Sequence, residues 1–331
     1  MTHTISAPPA ISAPPARPGV VSSVEELVGQ TPLLRLVFPS VPDSVRLLAK
    51  LEMFNPTASM KDRAALRMIQ GAERAGLLAA GGGTVVEATS GNTGISLAAF
   101  CAARGHRCIL ILPDNATEER RRILRAFGAE IVEAPHQEGL RAAIALADQV
   151  HRATPGSWLV GQDKNPDNVA AHYEGTGPEI LDACGTVDVL VCAVGTGGTL
   201  TGAARYLKER GSTHIVAVEP AGSPVLSGGE PGPHRIPGIG GGFINPVTDV
   251  TCIDEVVTVT DGQAASATVR LARSCGLLCG LSSGAAAHAS VTVARQPRWA
   301  DATIVTILPD TGERYLSIWD SFGESAQEEE W

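Results

Sequence analysis

From Ser22 onward the chain alternates short apolar runs with longer segments in which apolar residues recur every three to four positions. Val45–Leu51, Thr84–Ala88, Cys108–Leu112, Glu130–Ala134, Val187–Val194, Ile215–Val218 and Thr303–Leu308 read as strands, with another near Val256. Thr31-Pro32-Leu33-Leu34 leads into one more. Met60–Ala75, Ile95–Arg104, Glu118–Phe127, Leu140–Arg152, Tyr173–Cys184, the stretch after Thr199 as far as Arg210, and Gln263–Cys275 read as helices. Ser282 opens a further helix, and Val24–Val28 is a short one. Strands alternating with helices of this length make βαβ units, so the pattern predicts an α/β protein with mostly parallel sheets flanked by helices. Val187–Val194 is apolar throughout, as a strand buried on both faces must be. A polar break at Gln162–Pro166 divides the pattern, and Gly222–Gly242 is a Gly/Pro-rich loop whose length marks it as functional or mobile.

The ends depart from this pattern. Ile5–Ala10 and Ile11–Ala16 repeat ISAPPA, and residues 1–21 read as a disordered Pro/Ala-rich tail. Residues 321–331 read as an acidic, frayed tail. Between them, 331 residues are enough for a large core in two lobes. Hydrophobic residues make up 44% of the chain and charged ones 18%, which is a globular balance. Aromatics at 4% and a net charge of -9 argue against nucleic acid or an anionic membrane as partner. No apolar run reaches membrane-spanning length, and the N-terminus lacks a secretory pattern. The seven cysteines form no Cys-x-x-Cys pair and mostly sit in apolar runs, as reduced thiols of a cytoplasmic protein would. No histidine spacing suits a metal, and nothing resembles a Ser–His–Asp arrangement.

Four loops carry candidate chemistry. In Asn55–Arg63, Ser59 is a good N-cap, which places Lys61 in the first turn of a helix. There the macrodipole opposes its charge and favours the free amine, which can form an imine. Gly195-Thr196-Gly197-Gly198-Thr199 joins a buried strand to a helix, and its backbone N–H groups and hydroxyls suit a phosphate. It lacks the Gly-Lys-Ser/Thr of a nucleotide P-loop. A dinucleotide site competes, with Glu219 placed as a ribose-binding acid, but Leu200 stands where GxGxxG needs its third glycine. Thr89–Gly94 is a second strand-to-helix loop, suited to a carboxylate or, through Asn92, to a ring hydroxyl. Ser282 can bond a pyridine nitrogen without giving it a proton, or can simply cap its helix.

One amine, one phosphate cradle, one carboxylate loop and one neutral partner for a ring nitrogen fit pyridoxal 5′-phosphate. The segments FNPTASMKDR, EATSGNTGI, HYEGTGPEI, VGTGGTLTGAARYLKE, EPAGSPVLSGGEPGPHRIPGIGGGFI, GLSSGAAA and LPDTGERYLS resemble the cysteine synthases (O-acetylserine sulfhydrylases). These belong to the β-family, fold type II, of pyridoxal-phosphate enzymes. The likeness runs from about Val21 to Ser317. It implies a two-lobed fold: a mobile small lobe at 55–165 for the substrate carboxylate, and a large lobe at 22–54 plus 166–320 for the cofactor phosphate. It implies a transferase in which Lys61 forms the Schiff base and moves the Cα proton. Asn92 would bond the ring oxygen, Gly195, Thr196, Gly197, Gly198 and Thr199 the phosphate, and Ser282 the ring nitrogen. Thr89, Ser90, Gly91, Thr93, Gln162 and Gly238 would bind substrate. The implied reaction is β-replacement on an O-activated L-serine, O-acetyl-L-serine with sulfide giving L-cysteine through an aminoacrylate. O-phosphoserine as donor, a non-sulfide nucleophile, or a cystathionine β-synthase-like reaction are alternatives. The resemblance also implies a homodimer and a serine acetyltransferase tail as possible partner. Asp163, where the sulfhydrylases usually carry an aromatic residue, and Pro237 depart from the family pattern. An oxidoreductase using a nicotinamide cofactor and a non-catalytic binding relative are the competing classes.

Overall fold

The computed structural model describes residues 19–89 and 91–320; Ser90 and the two chain ends named above as tails, at 1–18 and 321–331, lie outside the described residues. The strands are β1 (Leu33–Arg35), β2 (Arg46–Leu51), β3 (Thr84–Ala88), β4 (Arg107–Pro113), β5 (Glu130–Ala134), β6 (Ser157–Leu159), β7 (Val189–Ala193), β8 (His214–Pro220), β9 (Glu255–Val259) and β10 (Thr303–Leu308). The first helices are α1 (Lys61–Arg74), α2 (Asn92–Arg104), α3 (Glu118–Ala126), α4 (Gly139–Ala153) and α5 (Pro166–Ala171). They are followed by α6 (Gly177–Cys184), α7 (Gly198–Lys208), α8 (Asp261–Cys275), α9 (Leu281–Ala294) and α10 (Leu316–Asp320).

Two sheets result. The larger runs β1-β2-β10-β7-β8-β9 and the smaller β5-β4-β3-β6. All pairings are parallel except β1 with β2. Because side chains alternate across a strand, each sheet feeds two cores. In the large sheet Val189, Val191 and Ala193 point to one cluster, shared with α8 and α9. Leu190 and Cys192 point to another, shared with α6 and α7. In the small sheet Val85 packs toward α1 and α2, and Val86 toward α4. Both lobes are thus sheets sandwiched by helices, the doubly covered arrangement that continuous apolar strands require. In α9, Ala285, Ala286, Ala287 and Ala289 are fully buried, so small side chains bring this helix close to the large sheet.

Some elements differ from expectation. β6 is only three residues and carries no readable period. The polar break at Gln162–Pro166 ends in α5, which starts on an Asn165 cap with Pro166 in its first turn. The stretch expected as one helix over Tyr173–Cys184 is a π turn, His172–Thr176, followed by α6. All seven cysteines are free, six of them buried.

Candidate active site

The start of α1 is clamped from both sides of Lys61. The Met60 N–H donates to Pro309 O (2.8 Å), tying the helix entrance to the end of β10. Ser59 Oγ accepts from the Lys61 N–H (3.2 Å), although the cap position itself is Met60 and the helix begins one residue later than its sequence suggests. Asp62 is buried and accepts from the Thr57 N–H (2.7 Å), the Thr57 hydroxyl and Ser96 Oγ (2.6 Å). Arg63 is held by Glu52 (2.6 Å) and Glu179 (2.7 Å). Lys61 Nζ, between these anchors, makes no hydrogen bond or ion pair among the described residues, and the side chain keeps some solvent access. Desolvation holds its ammonium pKa below the usual lysine value, against weaker support from nearby Asp310. Crowding by protein atoms therefore favours the nucleophilic free amine.

The 195–199 turn adjoins this lysine. Thr199 Oγ1 contacts Met60 Sδ (3.5 Å), the residue preceding Lys61, and His172 Nε2 (3.1 Å). His172 is buried, its pKa lowered to about 3 chiefly by desolvation, and its Nδ1 pairs with Thr176 Oγ1 (2.8 Å). A neutral imidazole thus braces the turn. The turn's carbonyls are spent on protein: Asn245 Nδ2 donates to Gly195 O (3.2 Å) and Thr248 Oγ1 to Thr196 O (3.0 Å). Its N–H groups have no side-chain partner among the described residues, since α7 opens on Gly197 without a side-chain cap. Gly197 has φ +88°, a left-handed conformation that disfavours other residues. A Cβ on Gly195 would lie 2.3 Å from Gly238 O, so the long loop closes directly on the turn.

Opposite lies the loop between β3 and α2, the candidate carboxylate site. Thr89 Oγ1 accepts from the Gly91 N–H (3.2 Å), and Thr93 Oγ1 donates to Gln162 Oε1 (2.7 Å). The Gln162 carbonyl accepts from Asn168 Nδ2 (2.8 Å), which also reaches Thr196 Oγ1 (3.1 Å). Thr93, Gln162, Asn168 and Thr196 therefore form one hydrogen-bonded path between the two candidate anion sites. Beneath it, Glu87 accepts from the Gly161 N–H (2.8 Å). Burial pushes the Glu87 carboxyl up to about 8 despite that bond.

Ser282 is buried in the first turn of α9. The cap of α9 is Gly280, so Ser282 does not cap its helix. Its hydroxyl makes no hydrogen bond among the described residues. Asn92 opens α2 and meets the segment after β10: its Nδ2 donates to Asp310 Oδ2 (2.6 Å), and Arg314 donates to its Oδ1 (2.6 Å). Sequence reasoning gave no role to Glu87, Asn168, His172, Asp310 or Arg314. All but Asn168 stand in segments that resemble the family, Glu87 in EATSGNTGI, His172 in HYEGTGPEI and the last two in LPDTGERYLS, and that resemblance was the available signal.

The uncapped turn, the unpaired amine beside it and the unbonded Ser282 hydroxyl fit a molecule with a phosphate, an aldehyde and a weakly basic ring nitrogen. They do not fit a dinucleotide. Glu219, the candidate ribose acid, is consumed by the N–H groups of Leu226 (2.7 Å) and Ser227 (2.9 Å) and by the Ser227 hydroxyl (2.6 Å). No metal-binding cluster occurs among the described residues.

Comparison with known proteins agrees. Residues 24–310 match the family model described as "Pyridoxal-phosphate dependent enzyme". A cysteine synthase of Staphylococcus aureus (strain Mu50) is 42% identical over 300 residues, 90% of this chain and 96% of that protein. The crystal structure of cysteine synthase from Entamoeba histolytica superposes with a TM-score of 0.89 at 37% identity, covering 97% of this chain and 95% of that one. An O-acetylserine dependent cystathionine β-synthase from Helicobacter pylori gives 0.85 at 38%, covering 90% and 98%. The chain belongs to the pyridoxal-phosphate dependent enzymes, in the fold type II group that holds the cysteine synthases.

Proposed function

We propose that the protein is a pyridoxal-phosphate dependent transferase that replaces the β-substituent of an O-activated L-serine, O-acetyl-L-serine, with sulfide to give L-cysteine and acetate. The observation that carries this reading is the unpaired, desolvated Lys61 amine next to an uncapped glycine turn. Bound there, the cofactor supplies an electron sink for the charge developing at the substrate Cα. The N–H groups of the Gly195–Thr199 turn, with Gly198 at the head of α7, hold its phosphate, Ser282 its ring nitrogen and Asn92 its ring oxygen. Lys61 would hold the cofactor's aldehyde, and its amine would take the proton from the substrate Cα and later return it. The Cβ–O bond breaks, acetate leaves, and a Cβ–S bond forms. Thr89, Ser90, Gly91, Thr93 and Gln162 grip the substrate carboxylate, with Gly238 on the facing loop.

In this reading residues 55–165 are the small lobe that closes over substrate and excludes water, and 22–54 with 166–320 the large one. We extend the reading to a cytoplasmic homodimer that accepts a serine acetyltransferase tail, as the resemblance implies. Asp163 favours a second acceptor: partly exposed beside Gln162 and without an ion-pair partner among the described residues, it would repel hydrosulfide and attract an amine-bearing nucleophile. Purified protein is expected to bind pyridoxal phosphate with a visible absorption band, lose that band in Lys61→Ala, and form cysteine from O-acetylserine and sulfide. Running the assay with O-phosphoserine, homocysteine and simple amines separates the acceptors. A colourless protein that gains neither band nor activity from added cofactor would overturn the reading.

A further inference from the structure

Asp310 sits where the two lobes meet, and one of its oxygens is unused. It is 2% exposed. Its Oδ2 accepts from Asn92 Nδ2 (2.6 Å) and from Tyr315 OH (2.5 Å), while Oδ1 has no partner. The environment is charged: Lys61, Arg120 and Arg314 all act electrostatically on this aspartate or are acted on by it. Both ends of the Asn92 amide are chemically determined, because its nitrogen meets a carboxylate and its oxygen meets the Arg314 guanidinium (2.6 Å). A flipped amide would set oxygen against carboxylate and N–H against guanidinium. Arg314 also donates to the Thr57 carbonyl, so it ties the Asn92 end of α2 to the loop before Lys61.

The distances also say how many amide hydrogens are spent. Tyr315 OH lies 3.3 Å from Asn92 Nδ2 and Asp310 Oδ2 lies 2.6 Å from it, while these two oxygens are 2.5 Å apart. By the law of cosines the angle they subtend at Nδ2 is roughly 50°, against roughly 120° between the two N–H bonds of a planar amide. One N–H therefore serves both oxygens, and the second makes no hydrogen bond among the described residues.

The geometry points to Asp310 as a positioning residue: with Arg314 it locks the Asn92 amide so that the second N–H is presented to the ring oxygen of the cofactor. This rests on the cofactor reading above, which gave Asn92 that donor role but nothing to hold it. A hydrogen bond to the ring oxygen favours the form in which that oxygen has lost its proton, so the lock acts on the proton balance of the bound cofactor as well as on its affinity.

The test uses Asp310→Ala and Asp310→Asn in the full chain, with three readouts: the cofactor's dissociation constant, the ratio of its two absorption bands across pH, and the thermal midpoint of the cofactor-free protein. Asp310→Ala is expected to weaken cofactor binding about tenfold, the effect of losing one charge-assisted hydrogen bond, and to shift the band ratio toward the form protonated on the ring oxygen. Asp310→Asn keeps the shape and one acceptor oxygen, and is expected to give a smaller shift of the same sign at a near wild-type midpoint. If Asp310→Ala does not fold, the Asn variant alone carries the comparison. A lowered midpoint with unchanged affinity and band ratio in both variants would show a structural role only and defeat the inference. A wild-type protein with no bound-cofactor band defeats the cofactor reading itself, a distinguishable result.

Discussion

At the scale of single residues, Glu87 is an acid that folding keeps protonated. Burial raises its pKa to about 8, and the Gly161 N–H, the Gln162 amide and the negative charge of Asp163 lie around it. The folded state therefore holds a proton that the unfolded state has lost from about pH 4.5 upward. With fewer protons bound in the unfolded chain, stability falls as pH rises through this window and levels off above pH 8. Glu87→Gln keeps an acceptor for Gly161 without the ionisation. Its stability relative to wild type is expected to grow by on the order of 4 kcal/mol between about pH 5 and pH 8, measured by urea unfolding at several pH values. A constant difference would mean that Glu87 does not hold that proton. Such residues were not legible in sequence. Glu87 reads as an ordinary strand residue and His172 as the residue before a helix expected from Tyr173, and only the packing of β3 against the Gly161–Asp163 loop, or of the π turn against α7, strips them of water. Lys61, Asn92 and the 195–199 turn were legible because loop and helix start are encoded by consecutive residues.

At the scale of elements, the placement of α1 depends on charges buried between it and the large sheet. Arg63 bonds Glu52 at 2.6 and 2.9 Å and Glu179 at 2.7 Å, Glu179 also pairs with Lys50 (2.7 Å), and Arg63 and Glu52 are both buried. Removing the guanidinium leaves two carboxylates with less compensation, a change that typically costs about 3–5 kcal/mol. Arg63→Met is expected to destabilise the chain by that amount in a denaturant titration. Because Arg63 is two residues from Lys61, it should also weaken cofactor binding, whereas Arg107→Met, at an exposed pair with Glu130 (2.6 Å), should change neither. The same anchoring explains what the hydrophobic pattern revealed. α1, β3, β5 and β10 lie within a residue of where the pattern puts them. α5 and β6 were missed because their short runs hold their place through tertiary contacts. The order β1-β2-β10-β7-β8-β9 also lay beyond local pattern, since β10 pairs with β2 across some 250 residues of chain.

At the scale of the whole molecule, the two lobes are joined at a site that carries unfavourable terms while it lacks the cofactor. The Thr93–Gln162–Asn168–Thr196 path and the Arg314 bridge connect the lobes around Lys61, whose amine is desolvated with no hydrogen bond or ion pair among the described residues. A lysine whose folded pKa is depressed binds fewer protons in the folded state, so its cost is present below that pKa and is relieved as pH rises to the ordinary lysine range. The cofactor-free wild type is therefore expected to be no more stable than cofactor-free Lys61→Ala at neutral pH, and to gain on it as pH is raised toward 10. Loading should reverse the order. A ligand that binds only the folded state at a hundred times its dissociation constant adds about 2.7 kcal/mol, and the wild type, able to bond covalently, should bind more tightly than the alanine variant. Thermal midpoints of both proteins, with and without pyridoxal phosphate and across pH, provide the measurement. A cofactor-free Lys61→Ala that is clearly less stable than wild type at neutral pH would mean that the lysine has a partner in the folded protein, and that the free amine is not what this cleft was built to present.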